Sequence, residues 1–219
     1  MAFSYLTSVS AGSTNSNNVT SGAIDTSGAK IIVVGVSRGT LGTVGAPTDN
    51  QGNTYTLAVN TNVAARNSLL FYCINPTTNA SHTFSYSDTA SLPAIYAAAF
   101  SGDADSLDAT NSNTTSGSTI QPGSVSPAGD NELFVTVVAE NSGSVLTVSI
   151  DSSFTIVQEL CSTVSADYRG GAIAYTIQTT GSAENPTWSG FSGAATAATI
   201  ANFTISGSSS VNSGFFQFM

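Results

Sequence analysis

Ile31-Ile32-Val33-Val34-Gly35-Val36-Ser37 is the stretch on which the reading of this chain turns. Its first four residues are all β-branched, which favours an extended backbone over a helix. They are apolar at consecutive positions rather than at alternate ones, so neither side of the strand is left for water. The expectation is a central β-strand covered on both faces.

Working outward, short β-branched and aromatic runs recur between turn-rich segments. The runs read as strands are NTYTLAV (53–59), SLLFYCIN (68–75), HTFSYS (82–87) and PAIYAAAF (93–100), then ELFVTVVAE (132–140), VLTVSI (145–150) and FTIVQEL (154–160). GAIAYTIQ (171–178), PTWSG (186–190) and ATIANFTIS (198–206) complete the set. Helical periodicity is nearly absent. The alanines at 97–99 favour helix by propensity, but Pro93 and Gly102 leave room for barely two turns. In His82-Thr83-Phe84-Ser85-Tyr86-Ser87 the aromatics share one face, and His82 is expected to face solvent. Turns are written as Asp49-Asn50-Gln51-Gly52, Asn75-Pro76, Gly129-Asp130-Asn131 and Asn185-Pro186. About ten such strands predict an all-β protein, a two-sheet antiparallel sandwich of jelly-roll type.

The halves of the chain answer each other. Ile31-Ile32-Val33-Val34 matches Leu133-Phe134-Val135-Thr136, and Phe71-Tyr72-Cys73-Ile74 matches Ala174-Tyr175-Thr176-Ile177. Ala99-Phe100 matches Asn202-Phe203 in turn, which gives an internal two-fold repeat. The expected organisation is an N-terminal extension over 1–30 and a single sandwich over 31–206, its halves 31–102 and 131–206 joined by an exposed loop, 103–130. Within that loop a short edge strand is placed near Ser118–Ile120. Two small sandwiches in tandem are the competing arrangement. Residues 207–219 form a C-terminal arm whose Phe215, Phe216 and Phe218 need burial, in the chain's own sheet or on a neighbour.

Composition narrows the function. Only 8% of the 219 residues are charged, against roughly 25% in ordinary soluble proteins, and Ser, Thr, Asn and Gly carry the polarity instead. The net charge is −9, and Lys30, Arg38, Arg66 and Arg169 are the four basic residues. Four scattered cations cannot neutralise a phosphate backbone or hold an anionic bilayer, so neither nucleic acid nor membrane is expected as a partner. No apolar run is long enough to span a bilayer as a helix. The opening MAFSYLTSVS lacks the pattern of a secretory signal, which fits either a signal already removed or release without one. Cys73 and Cys161 read as two buried thiols, with one disulfide between the halves as the alternative.

The search for chemistry finds no catalytic pattern. His82 is the single histidine, and no nucleophile elbow accompanies it. Asp103, Asp105 and Asp108 stand close in sequence, as weak candidates for calcium or for paired-carboxylate work. Asp49 to Asn53 is a second weak calcium candidate, and Glu132, Glu140, Glu159 and Glu184 are spread along the second half. No catalytic, cofactor or zinc set is expected, and the interaction residues assigned are Phe215, Phe216 and Phe218.

The turn Asp49-Asn50-Gln51-Gly52-Asn53-Thr54-Tyr55-Thr56, the aromatic strand at 70–74, Ala99-Phe100-Ser101-Gly102 and Ala174-Tyr175 leading to Asn185-Pro186-Thr187-Trp188 together resemble a repeated β-sandwich module. Modules of this jelly-roll-like kind occur in bacteriophage virion proteins and bacterial surface proteins. The resemblance covers residues 30–206 and carries no catalytic residues. It implies a non-enzymatic structural protein, virion or extracellular, of the capsid-decoration or fibre type. Such a protein assembles with itself or other coat proteins, as a homo-oligomer docking through apolar strand edges and the aromatic arm. The alternative is a carbohydrate-binding module or adhesin, with Trp188, Tyr5, Tyr86 or Tyr168 stacking on a glycan.

Overall fold

The structure is a computed structural model, and it describes residues 1–13, 16–39, 44–64, 66–87, 92–140, 146–161, 170–193 and 195–206. Among these, every regular element is a strand and every pairing is antiparallel. The first eight are β1 (Ser4–Gly12), β2 (Asn18–Thr20), β3 (Ile31–Arg38), β4 (Thr48–Asp49), β5 (Thr56–Val63), β6 (Arg66–Ile74), β7 (Phe84–Ser87) and β8 (Ala94–Ser101). The second eight are β9 (Ala104–Thr115), β10 (Thr119–Ile120), β11 (Leu133–Ala139), β12 (Ser149–Ile150), β13 (Thr155–Glu159), β14 (Gly171–Ile177), β15 (Trp188–Ser189) and β16 (Thr196–Ile205). No helix among the described residues is long and apolar enough to cross a membrane.

The strands form four sheets rather than the two expected. One five-stranded sheet has the order β1-β8-β3-β6-β5 and the other, read from its far edge, β9-β16-β11-β14-β13. Two three-stranded sheets have the orders β2-β7-β4 and β10-β15-β12. The second order in each case is the first with every strand number raised by eight. The ladders correspond as well. Ile31 lies between Ile74 and Phe100, while Leu133 lies between Ile177 and Phe203. Among the described residues, no sheet contains strands from both halves.

Alternation along the central strands explains the layering. Ile32, Val34 and Val36 of β3 point to a core shared with Phe84, Tyr86 and Val19 of the first small sheet. Ile31 and Val33 point the other way, into a core shared with Leu133, Val135 and Val137 of β11. The opposite face of β11 turns Phe134 and Val138 to Trp188 and Ile120 of the second small sheet. The molecule is thus four layers with three cores, small sheet, large sheet, large sheet, small sheet. A strand buried at every position requires this, because each of its faces must meet another layer.

Every strand read from the sequence has a counterpart among the described residues, most with ends shifted by a few residues; those read at 145–150 and 186–190 shorten to β12 and β15, and Val145 lies outside the described residues. The corrections lie in the polar segments. Residues 1–30 are no extension, since β1 pairs along β8 as an edge of the first large sheet. Residues 103–130 are not exposed loop throughout, since β9 pairs with β16 over Ala104–Thr115, and the short edge strand placed near Ser118–Ile120 is present as β10. Strands β1 and β9 are both edge strands, which need few apolar side chains, and so their composition resembled loop. Among the long edge strands, β1, β5 and β13 are mainly half-exposed and broken by bulges, and β9 is rich in Ser, Thr and Asn. They are not the apolar docking edges expected. Bulges and polar side chains block edge-to-edge pairing.

Trp188 shows how the third core is held. It is wholly buried, and its Nε1–H donates to Thr136 Oγ1 at 3.0 Å. The Thr136 hydroxyl donates in turn to the Thr199 carbonyl at 2.9 Å. Trp188→Ala removes both the ring and the donor. Its expected cost is about 4 kcal/mol in a denaturant titration, while Ser149→Ala on the outer surface stays within about 0.5 kcal/mol of the wild type.

Candidate functional site

The densest cluster of chemistry-bearing side chains lies where the Asp49 turn meets the bridge before β7. The sequence places His82 on the same parity as Phe84 and Tyr86, and that face is the core face. His82 is therefore fully buried, bridged to Ile24 and stacked on Phe84 with ring centroids 4.5 Å apart. This corrects its expected solvent-facing position. His82 Nε2 stands 2.9 Å from Asp49 Oδ2, and Nδ1 lies 2.8 Å from Thr26 Oγ1.

Asp49 is held from all sides. Its Oδ2 accepts from the Tyr55 hydroxyl and the Asn53 amide, each at 2.7 Å. Its Oδ1 accepts from the backbone N–H of Gln51 at 2.9 Å and of Asn53 at 3.0 Å. These bonds close the turn at Gly52, whose φ of 74° is the left-handed region that glycine enters without strain. Burial alone pushes the Asp49 carboxyl up. Donation from Asn53, Tyr55 and His82 outweighs it, and the net direction is down.

Thr26, His82 and Asp49 have the connectivity of a hydroxyl–imidazole–carboxylate relay, but not its chemistry. A nucleophile needs a reachable hydroxyl and a base free to take its proton. Thr26 is wholly buried, and its hydroxyl lies 3.2 Å from both the Asn79 carbonyl and the Asn79 N–H. The group is a clasp that ties three loops over the first outer core.

A second clasp sits on the other half. Asn202 lies opposite the bulge in β9, where the register jumps between Ala201 and Phe203. Its Oδ1 accepts from Ala109 N–H at 2.9 Å. Its Nδ2 donates to Asp108 Oδ2 at 2.8 Å and also to Glu132 Oε2. Glu132 is fully buried, and this burial pushes its carboxyl up. The two carboxylates are thereby occupied by internal donors.

The aspartates that stood close in sequence go to separate partners. Asp103 pairs with the N-terminal ammonium, Asp105 is exposed, and Asp108 joins the Asn202 clasp. Among the described residues, no three or more His, Cys, Asp and Glu side chains gather where a metal ion could be held. Of the aromatics considered for glycan stacking, Trp188 and Tyr86 are buried. Tyr5 is stacked on Tyr175 at 5.3 Å, between the large sheets. Tyr168, Phe215, Phe216 and Phe218 lie outside the described residues. Cys73 and Cys161 are unbonded thiols in different outer cores, each pushed up by burial.

The face that joins the two halves was not anticipated from the sequence. Phe100 packs edge-on against Tyr175 at 5.1 Å, and Tyr72 against Phe203 at 5.3 Å. The Ser68 hydroxyl donates to the Val137 carbonyl at 3.0 Å and lies 2.9 Å from Thr199 Oγ1, all three groups being buried. At the margin Ser10 Oγ donates to Gln158 Oε1 at 2.8 Å, and Gln158 Nε2 donates to Ser8 Oγ at 3.0 Å. The sequence signal was the match of Tyr72 with Tyr175 and of Phe100 with Phe203, which marks the four aromatics that meet here.

No protein-family model, curated protein or solved structure matches this chain.

The Asp49 clasp makes a signed prediction. A carboxyl lowered in the folded state stabilises the protein above its unfolded value and loses that contribution as pH falls through the folded value. Asp49→Asn therefore costs about 3 kcal/mol at pH 7, and the gap to wild type narrows as the pH falls below the ordinary aspartate value of about 3.9. Glu132, whose shift is opposite in sign, is common to both proteins and drops out of the difference. Paired urea titrations at neutral pH and below the ordinary aspartate value measure it.

Proposed function

We propose that this chain is a non-enzymatic structural protein of a virion or surface assembly, of the capsid-decoration or fibre-component kind, acting by protein–protein association. The observation that carries the reading is the face between the large sheets. The two halves meet there through side-chain packing and side-chain hydrogen bonds, some of them to backbone carbonyls, with the sheet ladders closed within each half. A unit of this design associates through the broad face of its large sheet. The Ser, Thr and Asn surface supports the same reading, because short uncharged side chains lose little entropy on being ordered at an interface.

A jelly roll winds eight strands as two Greek keys, placing the first, last, third and sixth strands in one sheet and the second, seventh, fourth and fifth in the other. Strands β1, β8, β3 and β6 beside β2, β7 and β4 follow that order, with β5 moved to the large sheet. The same order in the second half supports a duplicated jelly roll. The N-terminal half then ends near Ser101 and its copy begins near Ala104.

In this proposal Phe215, Phe216 and Phe218 dock on a neighbouring subunit. Light scattering on the full chain and on a version ending at Gly207 tests it. The expected result is a defined oligomer that falls to monomer on truncation. A strict monomer at high concentration in both cases overturns the reading.

A further inference from the structure

The face between the halves carries a size code. Gly35 lies between Leu70 and Tyr96 in its ladder, and Val137 lies between Ile173 and Thr199 in the corresponding one. Gly35 and Val137 therefore hold equivalent places in the two halves, and they meet each other. A Cβ on Gly35 would stand 2.7 Å from Val137 Cγ2 and 3.1 Å from Cγ1. The valine of one half fills the space that the glycine of the other leaves.

A second set of contacts follows the same rule. Ser68 and Gly171 are equivalent, paired respectively with Ser37 and Ala139 in their ladders. Tyr96 and Thr199 are equivalent too. The Ser68 hydroxyl meets Thr199, the smaller of that pair, at 2.9 Å. Tyr96, the larger, meets Gly171, where a Cβ would stand 3.0 Å from its hydroxyl oxygen. Two like halves would break both matches. Two first halves would set Gly35 on Gly35 and Tyr96 on Ser68. Two second halves would set Val137 on Val137 and Thr199 on Gly171. The aromatic contacts do not discriminate, since Phe100 on Tyr175 and Phe203 on Tyr72 are equivalent to each other.

We propose that this face is a heterotypic interaction surface, which accepts the unlike half, of the same chain or of a second copy, and refuses a like half. Offer in trans follows from how the halves are joined. Opening the face breaks side-chain contacts but no sheet ladder, and only Gly102 and Asp103 separate β8 from β9. Exchange of complete units is a low-cost route to association under those conditions. The proposal extends the assembly reading by naming a partner. Its test reads pairing of variants rather than dependence on the aromatic tail, so the two fail separately.

The experiment uses full-length Gly35→Val and full-length Val137→Gly. Each alone loses about 5 °C or more in Tm, the first by overpacking and the second by a cavity. Unfolded together at equal concentration and refolded, the two chains can exchange halves. One face of the mixed dimer then sets the introduced valine of one chain against the introduced glycine of the other, and the second face is wild type. Native mass spectrometry is expected to show that mixed dimer, formed by neither variant alone and melting above both. The chain carrying both substitutions is expected to lose less Tm than the two single losses combined. Mixtures that stay monomeric with unchanged Tm overturn offer in trans. A fully tolerated Gly35→Val, or strictly additive losses in the double variant, overturns the size code.

Discussion

The structure depends on the need to cover both faces of β3 and β11. Each of these strands is buried at every position. Burying one Val, Leu or Ile side chain contributes about 1.5–3 kcal/mol, so a face carrying Ile31, Val33, Leu70 and Phe100 cannot stand in water without a large loss. A three-stranded sheet covers one face of each large sheet. The other face has no cover within its own half, and the opposite half supplies it. The four layers follow from a binary pattern in which a handful of strands have no polar side.

Burial on that scale brings polar groups inside with it, and the structure shows how they are paired. The Ser68 and Thr136 hydroxyls donate to carbonyls of the facing or neighbouring strand, and Trp188 donates to Thr136. Asn202 satisfies a bulge that would otherwise orphan the Ala109 N–H. Apart from Met1, the large apolar residues that are exposed among the described residues fall where pairing is interrupted. Leu6 sits within the register break of β1, and Leu57 at the edge of the break in β5. Register breaks at the sheet edges turn apolar strand character into surface that offers a neighbouring strand no continuous ladder.

What was legible in the sequence follows from the same physics. Strands with a buried face carry period-two or continuous apolar signal, and β3, β6, β8, β11, β14 and β16 were read close to their ends. Strands β1 and β9 were missed because an edge strand needs few apolar residues. In β9 only Ala104, Leu107 and Ala109 are apolar, and Leu107 and Ala109 face different cores. His82 shows position overriding residue type, since its parity with Phe84 and Tyr86 puts the ring on the core face. The clasps were out of reach. Thr26, Asp49 and His82 are far apart in sequence, and it takes the bridge between Ile24 and His82 and the pairing of Asp49 with Phe84 to bring them together.

The clasps also show where two such halves are free to differ. Tyr86 and Trp188 hold corresponding places, opposite Val19 and Ile120. Around the first, Asp49 closes over His82, and around the second, Asp151 accepts from Thr187 N–H with no histidine near. Each outer core faces only its own small sheet, so a change there need be compensated only within one half. The inner face has no such freedom. A larger side chain at position 35 is tolerated only if position 137 shrinks, because the two occupy one space. Substitutions in the outer cores are therefore independent between the halves, whereas substitutions on the inner face are coupled. Such coupling makes the two facing surfaces complementary to each other and not to themselves.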